Sequence, residues 1–285
     1  INMVKTAVEQ GGTLLNYVEV KGLIKEDDFV SGVIAVDIET GKEYELKSRA
    51  VINATGAFTD SVRKMDEPDV KSIITPSQGV HIVLDKSFLP GDTAIMVPHT
   101  TDGRVLFAIP WHNRVLVGTT DTPINEVSLE PRAQEEEIDF LLEHAVRYLE
   151  KDPTPADVLS VFVGIRPLVD LGDSENTAAI SRDHSIIISR SGLVTIAGGK
   201  WTTYRKMAEE TLDQAIQVAR LERRPSVTDN LQIHGYHKNC EQFGILKPYG
   251  SDAPEIEAII RENREYGKPL HPHLRPLAGE VIWAV

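Results

Sequence analysis

Two glycines and two threonines flank a lysine where one apolar run gives way to a helical pattern. Gly198-Gly199-Lys200 follows the apolar run, and Thr202 and Thr203 come at the start of the helix. Free N–H groups at a helix start, its positive dipole end and the lysine charge together favour an anion. Either threonine can cap the helix. A plain strand-to-helix turn is the alternative interpretation.

Two arginines offer the planar, bidentate donors that suit a phosphate or a carboxylate. Arg166 stands beside a rigid proline in Gly164-Ile165-Arg166-Pro167, where we expect the preceding strand to end. Arg182 follows in Ser181-Arg182-Asp183. For each arginine taken alone, a surface salt bridge is the alternative.

His81 and the pair Thr55-Gly56 are the other candidates. His81 has apolar strand neighbours and can face a cavity, although a hydrogen-bonded core histidine is the alternative. Thr55-Gly56 ends the apolar run Ala50–Ala54, so its backbone can lie against a flat cofactor. No metal site is expected, because the remaining histidines lack a ligand pattern such as H-E-x-x-H; these are His234, His237, His271 and His273.

Alternating apolar and polar residues predict strands that would position these side chains. The predicted strands are Leu14–Gly22, Val30–Asp37, Lys42–Lys47, Ala50–Ala54, Val80–Leu84, Ala94–Val97, Val105–Ile109, Val115–Thr119, Leu159–Val163, Ser185–Ser189 and Leu193–Ala197. From Ile73 to about Thr122 they form an antiparallel sheet. Apolar residues at helical spacing predict helices at Met3–Gln10, Gln134–Leu149, Thr203–Ala219 and Ala253–Tyr266, and one beginning near Gly279.

Composition limits the classes of function. The net charge of −13 and the lack of a Lys/Arg-rich block exclude a nucleic-acid surface, whereas a small anion needs only a few local cations. A single cysteine, Cys240, excludes an intrachain disulfide and favours a cytoplasmic location. His81, Asp85 or Gly192 interrupts the longest apolar stretches, so membrane contact would be peripheral.

Taken in order, these segments resemble the FAD-dependent glycerol-3-phosphate dehydrogenases of the D-amino-acid-oxidase-like flavoprotein superfamily. The resemblance covers nearly the whole chain. It is carried by Val51-Ile52-Asn53-Ala54-Thr55-Gly56, Gln78-Gly79-Val80-His81, Phe107-Ala108-Ile109-Pro110-Trp111, Val117-Gly118-Thr119-Thr120-Asp121, Gly164-Ile165-Arg166-Pro167, Ser181-Arg182-Asp183 and Gly198-Gly199-Lys200-Trp201-Thr202-Thr203-Tyr204-Arg205.

The resemblance implies a mixed α+β and α/β fold. Residues 1–65 and 165–224 would belong to a Rossmann-like FAD/NAD(P)-binding domain. Residues 66–164 would form a substrate domain with a mixed, largely antiparallel sheet, and residues 225–285 the start of a helical C-terminal domain. The family's G-x-G-x-x-G turn is not in the sequence, and Ile1-Asn2-Met3-Val4 resembles neither a signal peptide nor an initiator start. We therefore expect a piece of a longer protein that is inactive by itself.

The activity implied by the resemblance is oxidation of sn-glycerol 3-phosphate to dihydroxyacetone phosphate. Hydride would pass to the flavin, and electrons then to a quinone. Arg166 and Lys200 would surround the substrate, with Arg182 as a phosphate ligand, and His81 would take the hydroxyl proton.

The same resemblance implies which residues hold FAD. Thr202 and Thr203 would lie at the flavin pyrimidine edge, near Gly199 and Lys200, where positive potential stabilises the reduced flavin. Thr55-Gly56 would lie along the cofactor, and the backbone near Val20 would approach adenine.

Several alternatives stay open. A glycerophosphate oxidase would use oxygen, but the short spacing between Arg166 and Arg182 lacks an insertion found in some such oxidases, which favours a quinone-linked dehydrogenase. An amine or amino-acid oxidase shares the fold and cofactor. The chain by itself can instead be a folded, non-catalytic module that binds no FAD. Peripheral association with the inner face of the cell membrane and an oligomeric assembly are both compatible with the resemblance.

Overall fold

The computed structural model describes residues 1–98, 100, 105–170, 183–272 and 274–285. These residues form two compact units, Glu19–Arg224 and a second unit that joins Ile1–Val18 to Pro225–Val285. The strands are β1 (Val18–Glu26), β2 (Phe29–Asp37), β3 (Glu43–Lys47), β4 (Ile52–Asn53), β5 (Ile74–Asp85), β6 (Ile95–Val97), β7 (Leu106–Trp111), β8 (Arg114–Gly118), β9 (Thr122–Pro123), β10 (Ser160–Val169), β11 (His184–Ile188) and β12 (Val194–Gly198). The α-helices are α1 (Asn2–Glu9), α2 (Thr59–Asp66), α3 (Glu135–Ala145), α4 (Tyr204–Val218), α5 (Ala253–Glu262) and α6 (Ala278–Ala284).

The strands described in the larger unit form three sheets. The largest has the order β10-β5-β8-β7-β6, with β9 paired to β5, and its pairs are antiparallel. In a second sheet, β12 pairs antiparallel with β11 and parallel with β4. The third has the order β1-β2-β3. The predicted mixture of helices with a largely antiparallel sheet is confirmed.

One face of the largest sheet packs against α3. Val80, Ile82 and Leu84 alternate along β5 and are completely buried. They share one cluster with residues of β7, β8 and α3, which are Leu106, Ala108, Val115, Val117, Leu141, Leu142 and Ala145. Complete burial of such side chains contributes about 1.5–3 kcal/mol each. Because side chains alternate along a strand, the intervening Gly79 and His81 lie on the opposite face.

The unit of Ile1–Val18 and Pro225–Val285 is helical. It contains α1, α5, α6 and a kinked 3-10 segment at Cys240–Asp252. Its core consists of Leu246, Ala253, Ile256 and Leu277. Across the described parts of both units, no helix is long and apolar enough to cross a membrane.

Several predicted boundaries were wrong. The strand predicted at Leu14–Gly22 lies at Val18–Glu26, and the one predicted at Ala50–Ala54 is only Ile52–Asn53. The sequence analysis did not predict α2. This short helix depends on distant partners, since the Asp60 carboxylate accepts hydrogen bonds from the N–H groups of Ile73 and Ile74.

Candidate active site

His81 lies in the middle of the open sheet face. In the strand register it is opposite Phe162 of β10 and Gly118 of β8. Its ring stacks on Phe162 with 4.9 Å between centroids and an interplanar angle of 3°. The ring also covers Gly118, because a Cβ atom there would be 2.2 Å from Cδ2 of His81. Phe162 and Gly118 therefore fix the plane of the imidazole.

Arg166 lies on the same face, in the interior of β10. The expectation that the strand ends before Arg166 was wrong, since β10 continues to Val169. Its Nη2 donates to Thr119 Oγ1 at 2.8 Å, and its Nη1 lies 3.5 Å from Asp121 Oδ1. The guanidinium lies over Gly79, where a Cβ atom would be 2.4 Å from Nη2. Arg166 is thus held by polar contacts on one side and by the strand backbone below.

The His81 ring is uncharged near neutral pH. Burial lowers its pKa from the ordinary value of 6.5, and the positive charge of Arg166 lowers the pKa further. Among the described residues, none forms a hydrogen bond with the ring nitrogens. A neutral imidazole with a ring nitrogen available can accept a proton.

Around the His81 ring, the open face is apolar. Phe162, Phe107 and Ile109 lie on it with exposed side chains. At Gly164, directly opposite Gly79, an added Cβ atom would meet nothing within 4 Å. This face can therefore accommodate a flat, largely apolar group beside His81.

The glycine-lysine turn follows β12. Gly198 and Gly199 have φ angles of 74° and 80°, and a Cβ atom on Gly199 would be 2.5 Å from Met207 Sδ. Both positions therefore require glycine. Lys200 is exposed and precedes a 3-10 turn at Trp201–Thr203.

The expected threonine cap was wrong. No side-chain cap hydrogen bond begins either the 3-10 turn or α4. Thr203 instead directs its hydroxyl backwards, donating to the Lys200 carbonyl at 3.0 Å. The contact fixes the turn, and the exposed Thr202 and Thr203 backbone stays on the surface.

Contacts at the end of β10 bring this turn next to the Arg166 strand. Val169 of β10 packs with Ala197 of β12, and a Cβ atom on Gly198 would be 3.0 Å from Val169 Cγ2. β4 lies parallel to β12 on its other side and leads into Thr55-Gly56. Thr55 Oγ1 donates to Asn53 Oδ1 at 2.7 Å, and Gly56 has a φ angle of 58° with open space around its Cα.

The structure does not bring every predicted residue together. Val20 lies half-buried in β1, and no contact among the described residues joins it to the other candidates. Arg182 lies outside the described residues.

Five residues of the site received no role from the sequence. Four of them, Gly79, Gly118, Thr119 and Asp121, lie in motifs that carried the resemblance. The sequence therefore indicated that these positions matter, but it did not indicate which residues they contact. Nothing in the sequence indicated a role for Phe162, because its stacking on His81 depends on the register between β5 and β10.

The fold and the site define a flavin-dependent oxidoreductase. The profile of the family described as FAD dependent oxidoreductase matches residues 1–205, and the chain belongs to this family. It is 46% identical to the mitochondrial glycerol-3-phosphate dehydrogenase of Mus musculus over 275 residues, which is 88% of this chain and 38% of that protein. It is also 46% identical to the Homo sapiens protein of the same name, over 81% of this chain and 33% of that protein.

A solved structure gives the same relationship. The glycerol-3-phosphate dehydrogenase from Bacillus halodurans, determined in complex with FAD, aligns with a TM-score of 0.82 at 30% identity. The alignment covers 100% of this chain and 59% of that chain. This chain therefore spans between 33% and 38% of the length of the two mammalian relatives and 59% of the bacterial one.

Proposed function

We propose that this chain contributes the substrate-oxidising site of an FAD-dependent glycerol-3-phosphate dehydrogenase, which converts glycerol 3-phosphate to dihydroxyacetone phosphate. The observation that carries the proposal is the pairing of a neutral histidine with a held arginine on an open sheet face. The names of the relatives support the choice of substrate.

The reaction removes a hydride from carbon 2 and a proton from the hydroxyl group of the secondary alcohol, which is a loss of two electrons and two protons. FAD, when bound, takes up the two electrons with the hydrogen from carbon 2. His81 accepts the hydroxyl proton, and the stacked Phe162 keeps its ring in one orientation while this occurs. Because burial and Arg166 keep His81 unprotonated, the base is ready before the substrate arrives.

Arg166 and Lys200 bind the anionic substrate in this proposal. The guanidinium is a planar group with five N–H donors, which suits a phosphate, and the exposed lysine lies on the turn that packs beside β10. Two converging cations explain how a chain with a net charge of −13 attracts a phosphate ester. Arg182 is included as a further phosphate ligand.

The residues present fit the flavin end of FAD. The open face beside His81, with Gly164 and exposed Phe162, leaves room for a flat ring system. Thr55, Gly56, Gly199, Lys200, Thr202 and Thr203 would hold the cofactor from the ends of β4 and β12, with Val20 near adenine. The assignment of 1–65 and 165–224 to the FAD domain, 66–164 to the substrate domain and 225–285 to the C-terminal domain belongs to the same proposal.

A quinone is the proposed electron acceptor, which implies peripheral contact with a membrane. The sequence favours the cytoplasm, whereas the names of the two mammalian relatives specify mitochondria. A test follows reduction of a soluble quinone and consumption of oxygen in parallel. Oxygen consumption without quinone reduction would replace the dehydrogenase by an oxidase.

Because the chain is expected to be inactive by itself, the proposal is tested in a longer protein that joins it to the family's G-x-G-x-x-G segment, by titrating with FAD and then adding glycerol 3-phosphate without oxygen. Bleaching of the oxidised flavin band is the expected result, and Arg166→Met should bleach only at higher substrate concentration. Bleaching by glycine alone would favour an amino-acid oxidase. A chain that binds no flavin would support the non-catalytic module instead.

A further inference from the structure

Glu137, in the first turn of α3, is a buried carboxylate. The residue is only 4% exposed, and among the described residues no lysine, arginine or histidine pairs with it. Its Oε1 accepts hydrogen bonds from Thr120 Oγ1 at 3.0 Å and Thr122 Oγ1 at 2.7 Å. Its Oε2 accepts from Gln78 Nε2 at 2.7 Å and Gln134 N at 3.0 Å.

A buried charge is costly unless hydrogen bonds replace the lost water. Burial raises the pKa of Glu137, but the bonds from Gln134, Thr122, Gln78 and Thr120 outweigh burial and leave the pKa below its ordinary value. The start of α3 also favours a negative charge. Glu137 is therefore an ionised anchor that holds four donors.

Residues 119–122 connect this anchor to Arg166 by simple alternation. Thr120 and Thr122 donate hydrogen bonds to Glu137. Thr119 and Asp121, which each precede one of these threonines, contact Arg166 instead. The Thr120 hydroxyl also accepts from the Val80 N–H at 3.0 Å, which fixes the segment to β5.

The neighbouring strand repeats the pattern. Ser77 donates to Asp121 on the Arg166 side, and Gln78 donates to Glu137 on the other. Thr119, Asp121 and Ser77, which position the guanidinium directly or through Asp121, are thus each next in sequence to a residue held by Glu137.

We propose that Glu137 is a positioning residue that holds Arg166 over Gly79 through the segment 119–122. The inference rests on the proposed function only where it assigns Arg166 to the substrate. The coupling between Glu137 and Arg166 can be examined without flavin or substrate.

Two replacements separate hydrogen bonding from charge. Glu137→Gln keeps four bonds, because its oxygen can face Gln78 and Gln134 while its amide donates to the two threonine hydroxyls, which also accept. Glu137→Met has similar size but leaves the four donors without an acceptor. Leu141→Ala, one turn further along α3 and completely buried, is the control for destabilisation without loss of this network.

The readout is the titration of the His81 ring followed by NMR, with its resonance assigned by its absence in His81→Phe. Arg166→Met removes one of the two causes that lower the His81 pKa, so it sets the size of the expected upward shift. Glu137→Met should shift the titration in the same direction and add little in the Arg166→Met background. Glu137→Gln and Leu141→Ala should leave it unchanged.

An unshifted His81 titration in folded Glu137→Met, or a shift that adds fully to that of Arg166→Met, would overturn the proposal. Should Glu137→Met fail to fold, Thr122→Val removes one donor at a half-buried site and should give a smaller upward shift, and no shift would count against the proposal. Failure of the proposed function would appear separately: the His81 titration would shift as expected in Arg166→Met and Glu137→Met, but glycerol 3-phosphate would not react.

Discussion

Arg166 occupies the space that any side chain on Gly79 would need, since a Cβ atom at position 79 would lie 2.4 Å from its Nη2. Gly164 is paired with Gly79 across β5 and β10, yet a Cβ atom there would meet nothing within 4 Å. The two glycines therefore form a matched pair in which the guanidinium of Arg166 covers only Gly79.

Gly79→Ala should displace the guanidinium and leave the fold intact, because the group that must move is the far end of a flexible side chain rather than backbone. Loss of charge-assisted bonds to the substrate predicts a lower kcat/KM for glycerol 3-phosphate. The loss corresponds to about 1.5–3 kcal/mol of transition-state stabilisation and should appear mainly as a higher KM. The His81 titration should also move upward. Gly164→Ala should leave that titration unchanged, and equal shifts in both variants would contradict the assigned contact.

His81 predicts the acid limb of the pH profile. Burial and the Arg166 charge both disfavour the imidazolium, so the base is lost only when the pH falls through a pKa below 6.5. The rate constant kcat/KM of the flavin-loaded protein should fall there. Arg166→Met should move this limb to higher pH, because only burial then opposes protonation. Arg114→Met, at the far end of β8 beside Asp85, is the control and should leave the limb in place.

The sequence predicted the regular elements better than their ends. The hairpin of β2 and β3 and the helices α3 and α4 agree with the predicted segments to within a few residues, because their apolar residues repeat at one clear period. The sequence also selected His81, Arg166 and Lys200. That His81 and Arg166 share one sheet face could not be predicted from the residues alone, because it depends on pairing between β5 and β10, which are distant in the chain.

Pro167 illustrates what a single segment conceals. A proline lacks an N–H, and so the sequence indicated the end of a strand beside Arg166. In the structure Pro167 lies opposite Pro76, and neither residue leaves a backbone donor unpaired. The strand therefore continues and places Arg166 above Gly79. The sequence did not predict the role of Glu137 for a similar reason, because its polar partners come from β5 and from residues 120–122, which are distant in the chain.

Lys200 should contribute to substrate binding without supporting the fold, because its side chain is exposed. In the flavin-loaded protein, Lys200→Met should raise KM for glycerol 3-phosphate and lower kcat/KM. The loss corresponds to about 1.5–3 kcal/mol of transition-state stabilisation. Lys206→Met is a suitable control, since Lys206 is also exposed but faces Glu210 at 3.4 Å. Unchanged kinetics in Lys200→Met would remove this residue from the substrate site.

His234 predicts a pH-dependent stability in the unit formed by Ile1–Val18 and Pro225–Val285. Its Nδ1 lies 2.6 Å from Glu9 Oε1, and its Nε2 lies 2.9 Å from Asp252 Oδ2. Hydrogen bonds to Glu9 and Asp252 raise the pKa of His234 above 6.5. The stabilisation is therefore complete below pH 6.5 and is lost as the pH rises through the raised pKa, where the ring keeps only one N–H donor.

His234→Gln should accordingly lower Tm most at about pH 6, and the difference from the unmodified chain should shrink by about pH 9. Thermal melts followed by circular dichroism across this range measure that difference. His237→Gln is the matched control, since the His237 ring contacts Phe243 edge-on and has no carboxylate partner among the described residues. A Tm difference that stays constant with pH would mean that His234 contributes packing alone, because only an imidazolium can donate to both carboxylates at once.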